Sequence, residues 1–226
     1  MRSLKYLLAV TALLTLLASP ALAYEPGEWI LRAGAGSVQP ESDNLTFVDA
    51  GESIVIDVDN STAMTLSATY MFNRNWAFDL LASTPFKHDI TATVQIPDSS
   101  PEMAKIADTK QLPPTVSFQY HFAPDATFQP YLGLGVNYTN FYDTRLVSEM
   151  SEVGVDKLSL DDSFGLAAQL GGDWAISDNW LFNLDVRWIN IESDVTVEGP
   201  DFDGAEQIGK VKVDPWMYAV NLGYRF

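Results

Sequence analysis

Apolar and polar residues alternate with a period of two along most of the chain. The last run is the clearest: Trp216, Tyr218, Val220, Leu222, Tyr224 and Phe226 are large and apolar, with Met217, Ala219, Asn221, Gly223 and Arg225 between them. A period of two places successive side chains on opposite faces of a strand. The pattern recurs in Glu28 to Val38, where Trp29, Leu31, Ala33 and Ala35 oppose Arg32, Gly34 and Gly36. It recurs in Thr62 to Phe72 and, after Asn73-Arg74-Asn75, in Trp76, Phe78, Leu80 and Ala82 against Asp79, Leu81 and Ser83. Thr115 to Phe122, Leu132 to Thr139, Ser163 to Trp174 and Trp180 to Trp188 repeat it again. With the C-terminal run this predicts eight strands, an even number as bacterial transmembrane barrels require.

The connections alternate as well. Those near 73–75, 123–127 and 177–179 are short; those over about 39–60, 87–111, 143–161 and 193–212 are long. In outer-membrane barrels short turns face the periplasm and long loops face outward, so both termini fall on the periplasmic side. The second long connection is too long for a structureless loop, and Ile90 to Ile96 is expected to extend a hairpin beyond the membrane or to form a short element. Aromatic residues cluster at the ends of the apolar faces. A lipid girdle explains that placement and a soluble core does not. The fold expected is all-β: an eight-stranded antiparallel transmembrane β-barrel with short periplasmic turns and long extracellular loops.

The first residues point to the same compartment. Arg2 and Lys5 precede an apolar run from Tyr6 to Leu17, and Ala21-Leu22-Ala23 has small residues at the first and third places of a cleavage site. This reads as a secretory signal peptide over 1–23, leaving one barrel domain over 24–226. The formal net charge is −17, which makes nucleic acid an unsuitable partner. There is no cysteine, so rigidity has to come from sheet closure and not from disulfides.

The charged positions that parity turns inward are Arg32, Asp79, Asp173, Asp185, Arg187 and Arg225. They are of both signs and are expected to form an ion-pair network filling the lumen, with Arg32, Asp79, Asp185 and Arg225 as its core. Leu81 breaks the polar-inward rule. Catalysis finds little support: of the two histidines, His121 shares a strand face with Ser117 but lies ~13 Å from it, and His88 is read as a solvated rim residue. No enzyme activity and no cofactor are expected. Asp57-Val58-Asp59-Asn60 lacks the ligand spacing of a calcium loop, so no metal site is assigned. Most of the acids fall in the long segments, where divalent cations would bridge them to lipopolysaccharide phosphates.

Six stretches in the same order resemble the OmpW family of small outer-membrane proteins: GEWILRAG from Gly27, TPFKH from Thr84, LPPT from Leu112, QPYLGLGVNYTNF from Gln129, LSLDDSFGLAAQLGGD from Leu158 and DPWMYAVNLGYRF from Asp214. The resemblance implies a monomeric barrel of the bacterial outer membrane, with a narrow, largely apolar passage for small hydrophobic solutes and a lateral exit between strands as one form of that route. Tyr224 and Phe226, which end the outward face of the closing strand, themselves resemble the C-terminal signature by which the barrel-assembly machinery recognises its clients. The family resemblance also implies a constriction made by a leucine, which Leu81 matches, and an aromatic, where this chain departs by carrying Arg187; Leu81 and Arg187 are expected to bound the narrowest point. The rival reading is a structural or surface-interaction barrel with a plugged lumen presenting acidic loops.

Overall fold

The computed structural model describes residues 23–42, 44–49, 52–95, 100–152, 154–200 and 204–226. The leader expected over 1–23 lies, apart from Ala23, outside the described residues. The strands are β1 (Trp29–Gln39), β2 (Leu45–Asp49), β3 (Glu52–Val58), β4 (Ser61–Met71), β5 (Trp76–Ser83), β6 (Phe86–Gln95), β7 (Glu102–Leu112), β8 (Thr115–His121), β9 (Phe128–Leu146), β10 (Lys157–Leu160), β11 (Ser163–Ala175), β12 (Trp180–Ile189), β13 (Glu192–Glu198), β14 (Ala205–Lys212) and β15 (Trp216–Arg225). A single helical turn, Glu149–Glu152, follows β9.

Eight of these, β1, β4, β5, β8, β9, β11, β12 and β15, form an up-and-down barrel in which every neighbour is antiparallel. The ring closes between its first and last strands, from Ile30↔Arg225 to Gln39↔Trp216. Trp29 and Phe226 exchange backbone N–H to carbonyl bonds at 3.0 Å each, which fastens the periplasmic end of that seam. Closure leaves no strand edge inside the bilayer, the condition for a sheet to cross it. Outward-facing side chains are apolar and open: Leu134 is 73% and Phe164 74% exposed, more apolar surface than a water-soluble fold leaves bare. At the turn end the aromatics stack on one another, as Trp76 does on Phe118 (4.7 Å) and Phe128 on Trp174 (4.2 Å).

The long connections are mostly sheet, not loop. β9 runs on past the barrel rim and pairs with β7, β7 with β6, β6 with β3 and β3 with β2. β10, β13 and β14 form a second small sheet. Asn44 joins the two walls: its side chain donates to Lys212 O (2.6 Å) and accepts from Val58 N (2.8 Å). Ile90, expected to belong to an extension of a hairpin, lies in β6, while Ile96 lies outside the described residues.

The polarity of the strand faces reverses at the rim. Within the membrane the inward side chains of β9 are Gln129, Tyr131, Asn137 and Thr139; above it the next inward residue that lines the interior is Phe141. On β3, β6 and β13 the inward residues include Ile56, Ile90 and Val195, with His88 and Ser193 among them, while charged residues such as Lys87 and Asp89 face water. Lipid surrounds the lower half and water the upper half, so the side that must be apolar changes from outside to inside.

Candidate functional site

The lumen is built in three layers. At the periplasmic end Tyr24, Ile30, Met71, Ala77 and Leu181 form an apolar plug. Four of these, Ile30, Met71, Ala77 and Leu181, sit at inward positions of barrel strands, which strand parity gives. Arg225 lies at this level. Its Nε donates to Asp178 O (2.7 Å) and is 3.5 Å from Glu28 Oε1, and its guanidinium lies over the Tyr24 ring at 5.9 Å. Arg225 thus ties the barrel floor to a turn.

Above the plug is a continuous buried polar network. Tyr24 Oη donates to Asp173 Oδ2 (2.6 Å), and Arg32 grips the same carboxylate with Nε (3.0 Å) and Nη2 (2.6 Å). Arg32 Nη1 also donates to Thr69, whose hydroxyl donates to Asp79 Oδ1 (2.7 Å). Arg187 donates from Nη2 to Asp79 Oδ2 and from Nε to Asp185 Oδ1, both at 2.7 Å. Asp185 Oδ2 accepts from Tyr131 Oη (2.7 Å) and Gln169 Nε2 (2.5 Å), and Gln119 Nε2 donates to Gln169 Oε1 (3.0 Å). Each of these charges has an opposite partner, and neutral donors hold the carboxylates further, as burial in a narrow barrel demands; Arg187 Nη1 alone among the network's guanidinium nitrogens is buried without a partner. Asp173, one inward charge among several in the sequence, is the anchor of one end; Tyr24, Thr69, Tyr131, Gln119 and Gln169 were not singled out at all. Neutral donors of this kind carry no signal until their cross-barrel partners are known.

Leu81 and Arg187 border the same void, of about 10 Å³, together with Arg32, Tyr131, Asp185 and Asn221. That is room for about one water. Leu81 also belongs to the third layer, an apolar tier with Val38, Phe86, Met217 and Ala219. Its breach of the polar-inward rule follows from that position, since Leu81 is the level at which the polar network gives way to the apolar interior above. Ser117 and His121, weighed above as a nucleophile and base, are both buried; the His121 ring meets Tyr24 edge-on and Tyr131 at 5.0 Å each.

Over the third tier opens a cavity of about 760 Å³, walled by residues such as Phe47, Ile54, Ile90, Leu146, Val195 and Ile208. Its size falls in the range of small-molecule sites. His88 lines it and is 1% exposed, so it is a buried residue of the cavity and not the solvated rim residue expected. The reason is the parity of β6, which carries Phe86, His88 and Ile90 on its inner face. His88 Nδ1 is 2.6 Å from Asp59 O, and Nε2 is 2.9 Å from Gln111 Nε2. Burial pushes the imidazole below its ordinary pKa, against the opposing influence of Asp59 and Asp89.

One stretch of wall lacks the ladder. The β5–β8 register ends at Leu81↔Thr115, and β6–β7 begins at Phe86↔Gln111. Among the described residues no register pair joins 82–85 to 112–114, and Pro85, Pro113 and Pro114 lack N–H groups there. On either side the wall is tied to other strands, by Thr84 N to Met64 O (2.9 Å) and by Tyr138 N to Pro114 O (3.1 Å). Ser83 Oγ is buried at this gap without a partner.

Comparison with known proteins agrees with this architecture. The OmpW family profile matches residues 25–226. Outer membrane protein W of Escherichia coli (strain K12) is 37% identical, over 98% of this chain and 99% of the relative, and that of Vibrio cholerae serotype O1 is 36% identical over 97% of each. The crystal structure of the outer membrane protein OprG from Pseudomonas aeruginosa, 36% identical, superposes with a TM-score of 0.77 over 90% of this chain and 98% of that one. The chain therefore belongs to the OmpW family, as an eight-stranded β-barrel protein of the outer membrane.

Proposed function

We propose that the barrel is a non-enzymatic, passive route for small hydrophobic molecules, which enter the extracellular cavity and leave sideways into the membrane through the gap between 82–85 and 112–114. The observation that carries this reading is the contrast between the two voids: about 760 Å³ of largely apolar cavity outside, and about 10 Å³ in the polar lumen beneath it. An apolar solute gains by moving from water into the first. It would have to displace paired buried charges to continue along the axis, at a cost of several kcal/mol. On this reading the solute leaves for lipid through the stretch of wall that no register pair joins.

The packed network also favours a second reading, a surface-interaction barrel whose acidic outer sheets meet ligands or, through divalent cations, lipopolysaccharide. Vesicles with a lipopolysaccharide outer leaflet separate the two. With the protein present, the apolar dye 1-N-phenylnaphthylamine should enter faster than in protein-free vesicles while glucose stays at background. Equal dye entry with and without protein rejects the transport reading and leaves the surface reading.

A further inference from the structure

The polar residues that line the cavity are not spread evenly. Glu206 and Gln207 are exposed, whereas His88, Thr109, Gln111 and Ser193 are buried, Gln111 opposite Phe86 of the apolar tier. Three of the four are satisfied within the protein. His88 spans Asp59 and Gln111, Thr109 Oγ1 pairs with Thr144 Oγ1 (2.8 Å), and Ser193 Oγ donates to Asp161 O (2.7 Å). Gln111 is 1% exposed, and its Oε1 has no partner.

The direction of that amide is set by chemistry. Asp59 O can only accept, so His88 Nδ1 carries the hydrogen. In the neutral imidazole Nε2 is then an acceptor, and Gln111 must turn its NH2 group toward it. The carbonyl oxygen is left on the other side of the amide, a buried acceptor without a partner on a residue that lines the apolar chamber.

We infer that the cavity beside Gln111 is a head-group site for an aliphatic alcohol, with Gln111 accepting the hydroxyl hydrogen while the alkyl chain lies along the apolar wall. The inference rests on the reading of the cavity as the solute site and names the solute class. A carboxylate head would face an acceptor where it needs a donor. An ammonium head would bring a charge with no carboxylate side chain among the buried lining residues, and an unpaired buried charge is costly. A pure alkane fills the cavity and leaves Gln111 as it is. The alcohol supplies the one bond that is open, and a site built around a hydrogen bond discriminates against ligands that cannot make it.

Octan-1-ol and 1-methoxyheptane are isomers that differ in whether a donor is present, and they make the test. Each is titrated against 1-N-phenylnaphthylamine bound to the full-length mature protein in lipid nanodiscs, and each is referred to its partition into protein-free nanodiscs. The alcohol should displace the dye at about one-tenth of the ether's concentration, the worth of one hydrogen bond. Gln111→Met, close in shape but without the carbonyl, should bring the ratio near one without weakening the ether; Gln111→Leu carries the same expectation should the methionine variant not assemble. Equal displacement by the two isomers in the wild type overturns the head-group site and leaves the solute cavity standing, as does an alcohol preference that survives in the variants. If the dye and both isomers fail to bind the wild type, the cavity reading falls and this inference with it.

Discussion

Arg187 and Asp79 are 108 positions apart in the sequence, yet Arg187 Nη2 donates to Asp79 Oδ2 at 2.7 Å across the lumen. With Arg187 Nε on Asp185, one guanidinium links two carboxylates of opposite walls. The pair joins β5 to β12, strands that share no ladder, and so braces the ring across its diameter.

Removing one member of such a pair leaves the other buried and alone. Arg187→Met is expected to cost ~3–5 kcal/mol, because Asp79 and Asp185 both lose a partner. The double variant Asp79→Asn with Arg187→Met should recover part of that loss. Urea unfolding in lipid vesicles, read as the fraction of heat-modifiable protein on gels, measures both. A double variant no more stable than Arg187→Met alone would mean that the bridge is not the source of the effect.

Tyr131 reaches Asp185 and Asn183 by crossing the backbone of Gly171, where an added Cβ would come within 2.3 Å of the Tyr131 ring. Gly171→Ala should therefore lower stability by ~1–3 kcal/mol through overpacking. Tyr131→Phe, which keeps the ring and loses only the hydroxyl, should cost about 1 kcal/mol. Parallel unfolding curves give the order, and an alanine variant as stable as wild type would show that the ring has room to move.

The barrel strands were legible because lipid outside and a polar network inside impose opposite demands on alternate residues. The upper sheets were not, because the demand reverses at the rim: Lys87, Asp89 and Thr91 face water there while Phe86, His88 and Ile90 face in. Read with the lower rule, the same alternation loses its meaning, and the phase also shifts between Ser83 and Phe86, across Pro85. Which charges meet was equally hidden. Asp173 answers Arg32 from 141 residues away, and strand parity gives the face but not the height of a partner.

His88 offers a pH test. Its native pKa is lowered from an ordinary 6.5 by burial. Between that lowered value and 6.5 the unfolded chain binds more protons than the native one, so the contribution of His88 is fully retained above about pH 6.5 and lost as the pH falls below it. Hydrogen exchange of β3 and β6 should accelerate on acidification through that window, and less so in His88→Gln. An imidazole resonance that titrates at or above 6.5 would contradict this.

Tyr224 pairs with Leu31 and with Trp180, and Phe226 closes the ring against Trp29. Deleting Tyr224 to Phe226 removes these bonds and, on the proposal that these aromatics are read by the barrel-assembly machinery, the assembly signal too. No heat-modifiable protein should reach the outer membrane. A subtler pair, Phe226→Ala and Tyr224→Ala, keeps the backbone pairing, and normal assembly of both would deny the signal while leaving closure intact.

The gap beside Pro85, Pro113 and Pro114 gives the sharpest test of a lateral route. Replacing Pro113 and Pro114 by valine restores two N–H groups and a strand-favouring side chain where β7 passes into β8. The ladder that now stops at Leu81↔Thr115 could then continue toward Ser83. Dye entry into lipopolysaccharide-faced vesicles should fall several-fold while the barrel remains heat-modifiable. Arg187→Trp acts on the other candidate route, altering only the lumen around the 10 Å³ void. If solutes leave sideways, this variant should carry the dye at the wild-type rate in whatever fraction assembles. Were the valine pair inert and the tryptophan variant slow, the solute would be travelling along the axis past Leu81, and the packed network would have to open to let it through.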